Sequence, residues 1–418
     1  MNQRTFRTAV RNGLGRAPME IVKGVASHHI DTLHWAVSEW NGALDFYGCD
    51  HSTQVGWMID RAGVARDAIG WIQAVSDGLY RADGYRAAVL AELHGLGHHD
   101  AGRVLVDLLR QGVEPPGNSL IRPLLSAQGG DGLLQVLTHF HERGLEIDPI
   151  DAGIWTDTLG RSLGRRAFSS FLRSQRANAR VIEFQALRSK EVDKPPKVKT
   201  KRAPWEAVRT QLIGATKAQR RVILNHWGPK QHELESVAEF MLSATDRDLI
   251  RRLSICMTGR FPRPERLADR ALNSSGRLRR QFAYAIERES PTLARDLGIQ
   301  LIQLGDVEVG FDCVAPMATA EDAALLLAHV PKGLRNLNRL HHYQMNSSKV
   351  SVDCPEAREL QRWAYEKGPC AYCRERSVTT LTGWKALDRR RLRECLYDAS
   401  DDTRRVARRL LRTREGIP

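Results

Sequence analysis

Four cysteines in the last quarter of the chain are spaced so that they could bind a metal. Cys370 and Cys373 form a C-x-x-C pair, Cys354 lies ahead of this pair, and Cys395 follows it. Four thiolates can hold a structural zinc ion in tetrahedral geometry. A strong zinc signature has two such pairs, however, and isolated cysteines are more often small buried hydrophobic residues. The sequence therefore leaves three interpretations open: a zinc site, a part of the hydrophobic core, or redox chemistry.

Basic residues in the middle of the chain offer a second possible chemistry. Residues 151–290 contain 29 Lys/Arg and 15 Asp/Glu (29 − 15 = +14), whereas residues 1–150 contain 13 and 17 (13 − 17 = −4). Clustered cations bind phosphate backbones through charge and counterion release, although an arginine-rich face can also be merely solvated. We predict that nucleic acid or an acidic partner contacts Arg161, Arg165, Arg166, Arg173, Arg176, Arg180, Lys194, Lys197, Lys199, Lys201 and Arg202.

Sequence signatures of the common catalytic sites are missing. The chain has no phosphate-binding G-x4-G-K-[ST] loop, no H-E-x-x-H and no G-x-S-x-G, and no G-x-G-x-x-G follows a predicted strand. His94 and His98 have a spacing that can chelate a metal on a helix, but Gly95 and Gly97 make a rigid helix doubtful there. We therefore expect a binding protein without catalysis and without a cofactor other than the zinc ion considered above.

Residues 53–149 contain an internal repeat. An Asp followed by a small residue begins an apolar run that stops at a Gly, and these Gly residues are separated by 112 − 78 = 34 and 144 − 112 = 32 residues. The positions are Asp67-Ala68, Asp100-Ala101 and Asp131-Gly132 for the starts, and Gly78, Gly112 and Gly144 for the ends. Asp stabilises a helix N-terminus, and Gly ends a helix in the left-handed conformation. The pattern predicts stacked helical hairpins.

The Gly-Val-Glu-Pro sequence at residues 112–115, which is echoed at residues 144–149, resembles the end of a pentatricopeptide repeat. Because of this ending and the length of the repeat, residues 31–180 resemble the pentatricopeptide/tetratricopeptide class of helical repeats. After Pro149, where the pattern is less regular, we predict helices over residues 150–163 and 165–176. The resemblance implies an α-solenoid, and a pentatricopeptide array would read RNA one base per repeat. The negative charge of residues 1–150 and the small number of repeats argue against such reading.

Residues 205–412 show a second recurring pattern, in which an apolar residue or Thr precedes Arg and apolar positions follow at helical spacing. Examples are Leu278-Arg279 with Phe282 and Ile286, and Thr403-Arg404 with Ala407 and Leu411. This pattern resembles the second helix of HEAT repeats, another α-solenoid class. Some HEAT-like proteins are DNA glycosylases with aromatic and acidic residues in a basic groove. The spacing of Trp227, Trp363, Trp384 and Asp353 does not support that activity, so we expect no enzyme.

The segment 188–204 is predicted to be a linker, because it contains three prolines and many lysines and has no apolar periodicity. The expected architecture is all-α. Residues 1–187 form pentatricopeptide/tetratricopeptide-like repeats, residues 188–204 a basic linker, and residues 205–418 HEAT-like repeats.

The function that we expect is that of a scaffold for a protein partner in a larger complex, with a basic central segment that can contact nucleic acid. The alternative is a dedicated RNA- or DNA-binding protein. Seven scattered cysteines and the lack of a secretory signal favour a reducing compartment, so we expect a cytoplasmic location. The first nineteen residues, with four Arg and no acid, are also compatible with organelle targeting. No uninterrupted apolar run is long enough to predict a membrane span.

Overall fold

The computed structural model describes residues 1–39, 51–75, 83–111, 118–189, 203–225, 227–333 and 336–415. These residues form 25 α-helices and no β-strand, and helices that follow one another in the chain pack together. The predicted all-α solenoid class is therefore confirmed. No helix in the described ranges combines the length and the hydropathy that crossing a membrane requires.

The chain divides into two compact units. The first comprises Met1–Lys197, Pro369–Glu375 and Leu387–Pro418, and the second comprises Val198–Gly368 and Arg376–Ala386. The division lies within the predicted linker, of which residues 190–202 are outside the described residues. The last helices of the chain belong to the first unit in this division, and the predicted domain of residues 205–418 stays a prediction.

The first unit is built from helices that pack in two layers. Helices α1, α3, α5 and α7 pack in order, as do α2, α4, α6 and α8, and the second series continues to α9 and α11. Their bounds are α1 (Gln3–Arg11), α2 (Arg16–Val22), α3 (Ile30–Ser38), α4 (His51–Arg61), α5 (Ala65–Val75), α6 (Asp83–Gly95), α7 (His99–Gln111), α8 (Asn118–Glu142), α9 (Pro149–Ser162), α10 (Arg165–Ser174) and α11 (Ala179–Ser189).

Glycines in the left-handed conformation form the turn between the two helices of each hairpin. Gly63, Gly97, Gly129 and Gly164 have φ values of 73°, 101°, 56° and 81°. Side chains strongly disfavour this conformation, so glycine is required where the chain reverses. The steps between these glycines are 97 − 63 = 34, 129 − 97 = 32 and 164 − 129 = 35 residues. The repeat is therefore marked most clearly by the turn inside each hairpin, which the sequence interpretation missed.

Predictions about the helix ends hold where the structure describes them. Asp67 and Asp100 lie in the first turns of α5 and α7, where a carboxylate stabilises the positive end of the helix. Gly144 follows α8 with a φ of 62°, as expected of a glycine that ends a helix. Gly78 and Gly112 lie outside the described residues.

The segment assigned as α8 consists of two helices that form a hairpin, as the neighbouring pairs of helices do. Gly129 has φ 56° and ψ −125°, which breaks the helical backbone in the middle of the assigned segment. A Cβ atom on Gly132 would lie 2.9 Å from the carbonyl oxygen of Leu124, so the two halves approach closely. The predicted small residue after Asp131 is needed for this contact.

The end of the chain packs against its beginning within the first unit. Arg374, at the start of α23 (Ala371–Gly383), forms a fully buried ion pair of 2.8 Å with Asp398, which lies between α24 (Arg389–Cys395) and α25 (Asp401–Glu415). The same guanidinium donates to the carbonyl oxygen of Gly13 at 3.2 Å, and the N–H of Ala399 donates to that oxygen at 3.0 Å. The turn between α24 and α25 is therefore joined to the turn between α1 and α2.

The second unit repeats the two-layer arrangement. Helices α13, α15, α17, α19 and α21 pack in order, and α16 packs on α18 and α20 on α22. The helices are α12 (Trp205–Leu212), α13 (Lys217–Leu224), α14 (Leu234–Ser243), α15 (Arg247–Cys256), α16 (Glu265–Leu272), α17 (Gly276–Glu289), α18 (Pro291–Gln303), α19 (Val307–Val314), α20 (Ala320–His329), α21 (Leu337–Ser347) and α22 (Pro355–Lys367).

Arginines of the second predicted pattern join neighbouring helices. The guanidinium of Arg279 donates to the carbonyl oxygen of Ser274 at 2.9 Å, just beyond the end of α16, and pairs with Asp306 at the start of α19 at 3.0 Å. The guanidinium of Arg404 donates in the same way to the carbonyl oxygen of Ala399 at 2.9 Å. Phe282 and Ala407, which follow these arginines, are fully buried as predicted. A cation near the carboxyl end of a helix also offsets the negative end of its dipole.

The buried ion pair generates a prediction about stability. Replacement of Asp398 by Asn leaves the charge of Arg374 buried without a counter-ion, and we expect the free energy of unfolding to fall by about 3–5 kcal/mol. Urea unfolding followed by circular dichroism measures this loss. The control is Asp402→Asn, because the carboxylate of Asp402 pairs with exposed Arg405 at 2.9 Å and such pairs contribute about 0–1 kcal/mol. Equal effects of the two substitutions would contradict this account of the first unit.

Candidate nucleic-acid interface

The six predicted arginines of residues 161–180 lie on α9, α10 and α11 and in the turns that join these helices. Phe168 and Leu172 anchor α10 on the first unit with exposed fractions of 4% and 8%. The opposite side of α10 therefore faces solvent. Five of the arginines are exposed, and we call them the arginine face: Arg161, Arg165, Arg166, Arg173 and Arg176.

The arginine face lacks neutralising acids. Residues 158–182 contain six Arg and no Asp or Glu. Among the residues that the structure describes, no carboxylate pairs with any member of the face, and the guanidinium of Arg161 donates to a backbone carbonyl, that of Asp157, at 3.2 Å. Exposed arginines elsewhere do have such partners, as Arg358 does with Asp353 at 2.7 Å. Within the described part of the chain, the face therefore presents positive charge that no carboxylate compensates.

The start of α10 adds to this positive charge. Gly164 precedes the helix with no side-chain hydrogen bond to its first N–H groups, and the first turn contains no acid. Arg165 and Arg166 occupy that turn, where a positive charge is unfavourable because the helix dipole is also positive there. A bound anion would neutralise both guanidinium groups and accept hydrogen bonds from the N–H groups.

Arg180 differs from the other predicted arginines. It is half-buried, and its guanidinium donates to the hydroxyl oxygen of Thr138 at 2.6 Å, which holds α11 against α8. Arg180 is therefore engaged within the protein. The remaining predicted residues lie outside the described part of the chain: Lys194, Lys197, Lys199, Lys201 and Arg202.

The predicted zinc ligands are distributed between the two units. Cys354 belongs to the second unit, where its Sγ accepts a hydrogen bond from the N–H of Ala357 at 3.4 Å and so caps the start of α22. Cys370, Cys373 and Cys395 belong to the first unit and are buried. The Sγ atoms of Cys370 and Cys373 lie within 4.8 Å of each other, a separation that two ligands of one metal ion can have. The zinc site of all four cysteines stays a prediction.

A buried polar cluster in the second unit was not predicted. Asp312 on α19 is 2% exposed, and its carboxylate accepts a hydrogen bond of 3.1 Å from the hydroxyl of Tyr284 on α17. Nε2 of His342 on α21 lies 3.0 Å from the same carboxylate, and the side-chain amide of Asn346 donates to it as well. Asp312 lies 28 positions after Tyr284 and 34 positions before Asn346. Both steps are close to the length of one hairpin, which is the signal that could have linked these residues.

The Asp312 cluster favours the protonated form of His342. Burial alone would lower the pKa of His342, but the hydrogen bond to Asp312, the charge of Asp312 and the carbonyl oxygen of Glu308 at 3.3 Å together raise it. The side chain of Glu308 is itself paired with Arg280 at 2.7 Å and with Arg339 at 3.2 Å. Burial and the nearby charge of Asp312 also raise the pKa of Tyr284. His342 therefore ties α21 to α19, and its raised pKa favours the protonated form of this contact.

The raised pKa predicts that stability depends on pH through His342. Because the folded-state pKa lies above the unfolded one, the stabilisation is fully present below pH 6.5 and is lost as the pH rises through the folded pKa. His342→Gln should therefore lower the free energy of unfolding by about 1–3 kcal/mol at pH 5.5 and by less at pH 9.

The matched control is Tyr284→Phe, which removes a hydroxyl that donates to the same carboxylate. This hydroxyl does not titrate between pH 5.5 and pH 9, so we expect the loss of stability to be nearly equal at the two values. Thermal unfolding of both variants and of the parent protein at each pH gives the comparison. A loss for His342→Gln that does not change with pH would contradict the assigned proton.

Comparisons with protein-family models, with curated proteins and with solved structures find no match to this chain. The family of the repeats is therefore not established by similarity.

Proposed function

We propose that this chain is a non-catalytic helical-repeat protein whose arginine face binds the phosphate backbone of a double-stranded nucleic acid. The observation that carries the proposal is the set of five exposed arginines without a carboxylate partner in the described residues. Guanidinium groups are planar and remain charged, and they form two parallel hydrogen bonds to a phosphate. Duplexes present such phosphates at regular intervals.

The exposed residues of α10 favour a duplex over other acidic partners, although Leu163, between Arg161 and Arg165, is 37% exposed. The exposed positions of α10 other than arginine are small: Ala167, Ser169, Ser170 and Ser174. Serine hydroxyls also bind phosphate oxygens, which adds to the backbone contact. Single-strand binding without sequence preference relies on exposed aromatic rings, and protein interfaces rely on large apolar or aromatic anchors. Phe168 is buried and cannot serve either purpose. A protein partner at another surface stays a prediction.

The repeat classes belong to the same proposal. We infer that the hairpins of the first unit are pentatricopeptide/tetratricopeptide-like, which the glycine steps of 34, 32 and 35 residues support. We infer that those of the second unit are HEAT-like, which the pairing of Arg279 with Asp306 between neighbouring hairpins supports. The lysines of residues 194–201 and Arg202 would add to duplex binding. The proposed location of the protein is the cytoplasm.

Removal of charge from the arginine face tests the proposal. We expect the parent protein to bind a 24-base-pair duplex of DNA or RNA in 50 mM salt and to release it as salt is added, since counterion release drives the binding. Substitution of Arg165, Arg166, Arg173 and Arg176 by Gln removes four contacts to phosphates, so the slope of log K against log salt should fall by about 3–4. Fluorescence anisotropy with a labelled duplex measures both quantities.

The matched control removes the same charge where each arginine has a carboxylate partner. Its substitutions are Arg209→Gln, Arg251→Gln, Arg263→Gln and Arg358→Gln, and the partners are Glu206, Asp248, Glu235 and Asp353. We expect nearly unchanged affinity for this variant. Equal losses of duplex affinity in both variants would mean that binding depends on the net charge of the protein and not on the arginine face. Loss of binding on substitution of Lys197, Lys199, Lys201 and Arg202 alone would move the site to the linker, and both results would contradict the arginine face.

A further inference from the structure

One serine of α10 lies among the arginines on the exposed side of this helix. Ser169 is exposed, and its hydroxyl makes no hydrogen bond within the described residues. The hydroxyl of Ser174, near the end of the helix, is engaged instead, because it donates to the carbonyl oxygen of Phe171 at 2.7 Å. The Oγ atom of Ser169 is therefore a nucleophile that reagents in solution can reach.

Three arginines surround Ser169 on the same side of α10. Arg165 and Arg166 precede it by four and three positions, and Arg173 follows it by four. Side chains three or four positions apart on an α-helix are neighbours, so two guanidinium groups lie before the serine and one lies after it. These arginines have no carboxylate partner in the described residues. The hydroxyl is therefore surrounded by uncompensated positive charge.

The position of Arg166 distinguishes Ser169 from Ser170, the next exposed serine of α10. Kinases that modify serine in basic segments recognise the charge pattern of the substrate with acidic residues of their own, and many of them require arginine three positions before the serine. Arg166 occupies that position before Ser169, whereas Ala167 occupies it before Ser170. The sequence around Ser169 therefore has the charge pattern of a kinase substrate.

Helix α10 can present this serine in the extended conformation that kinases bind. The helix has ten residues, of which Phe168 and Leu172 are buried. Short helices are marginal in water, and segments with few buried residues open locally at a small cost in free energy. Local opening of α10 therefore makes the backbone around Ser169 accessible to an enzyme.

We propose that Ser169 is a phosphorylation site and that its phosphorylation releases the duplex from the arginine face. This inference rests on the proposed function, because it assigns regulation to the same surface. A kinase would transfer the γ-phosphoryl group of a nucleoside triphosphate to Oγ of Ser169. A bond forms between Oγ and phosphorus, the bond from phosphorus to the β-phosphate oxygen breaks, and the hydroxyl proton passes to the base of the kinase. The products are phosphoserine and a nucleoside diphosphate.

A phosphate on Ser169 would occupy the arginines that bind the duplex. Phosphoserine carries a charge of about −1.5 to −2 at pH 7 and has three strong acceptor oxygens. The guanidinium groups of Arg165, Arg166 and Arg173 would form charge-assisted hydrogen bonds with these oxygens. The helix then compensates its own positive charge, and the added phosphate repels the phosphates of a nucleic acid.

Phosphoserine incorporated in place of Ser169 during translation tests the effect on binding. A dianion neutralises about two cations, so the slope of log K against log salt should fall by about 2 for the 24-base-pair duplex. In 50 mM salt the affinity should fall by about tenfold or more. Fluorescence anisotropy measures both quantities, and circular dichroism verifies that the helical content is retained.

The matched control is phosphoserine in place of Ser236. This serine is also exposed, but it lies on α14, which contains no arginine, and Glu233 and Glu239 are three positions before and after it. The control changes the net charge equally, and we expect its duplex affinity to stay within about twofold of the parent value, since salt screens distant charges.

The catalytic subunit of cyclic-AMP-dependent protein kinase, supplied with ATP, tests whether Ser169 is a substrate. Mass spectrometry should locate a phosphate on Ser169 of the parent protein. The Arg166→Gln variant should be modified about tenfold more slowly, because it lacks the charge that the kinase recognises. The Arg209→Gln variant should be modified at the parent rate.

The outcomes separate this inference from the proposed function. If the protein with phosphoserine at position 169 binds the duplex as the parent does, the inference is overturned and the proposed function stands. Equal losses of affinity with phosphoserine at positions 169 and 236, or a kinase reaction that leaves Ser169 unmodified, overturn the inference as well. Failure of the unmodified parent protein to bind the duplex overturns both.

Discussion

Short helices are marginal in water. In the described residues the helices extend from seven residues in α2 to fifteen in α25, once α8 is divided at Gly129. Each helix is therefore stable only because its neighbours bury its apolar side. In the first unit this dependence continues from hairpin to hairpin and would leave an uncovered edge at the first helices. The turn between α24 and α25 packs against the turn between α1 and α2 at that edge, and the buried pair of Arg374 and Asp398 fixes this turn in place.

Arginine has two separate roles in this architecture. Arg279, Arg374 and Arg404 donate to backbone carbonyls or to carboxylates within their own unit and join one helix to the next. Arg165 and Arg173 have no such partner in the described residues and project from a helix that Phe168 and Leu172 anchor. The positive charge of the arginines that join helices is compensated inside the protein. The charge of the exposed arginines on α10 is available to an external anion, and this charge is the basis of the proposed function.

The sequence predicted the features that depend on local chemistry. Asp67 and Asp100 mark helix starts because a carboxylate at that position needs no distant partner. The exposed arginines were predicted because a stretch without acids is visible in the sequence itself. The return of the last helices and the cluster around Asp312 were missed, since both depend on contacts between residues far apart in the chain. Pairs such as Arg374 and Asp398 have no spacing that singles them out before the fold is known.

The measurement that tests the central claim most directly is chemical modification of arginine, with each site read by mass spectrometry. Phenylglyoxal modifies accessible guanidinium groups, so Arg165, Arg166, Arg173 and Arg176 should react in the free protein. The account predicts that a saturating 24-base-pair duplex protects these four, whereas Arg251 and Arg358 react equally with and without it. Equal modification of the four arginines in the presence and absence of a bound duplex would contradict it.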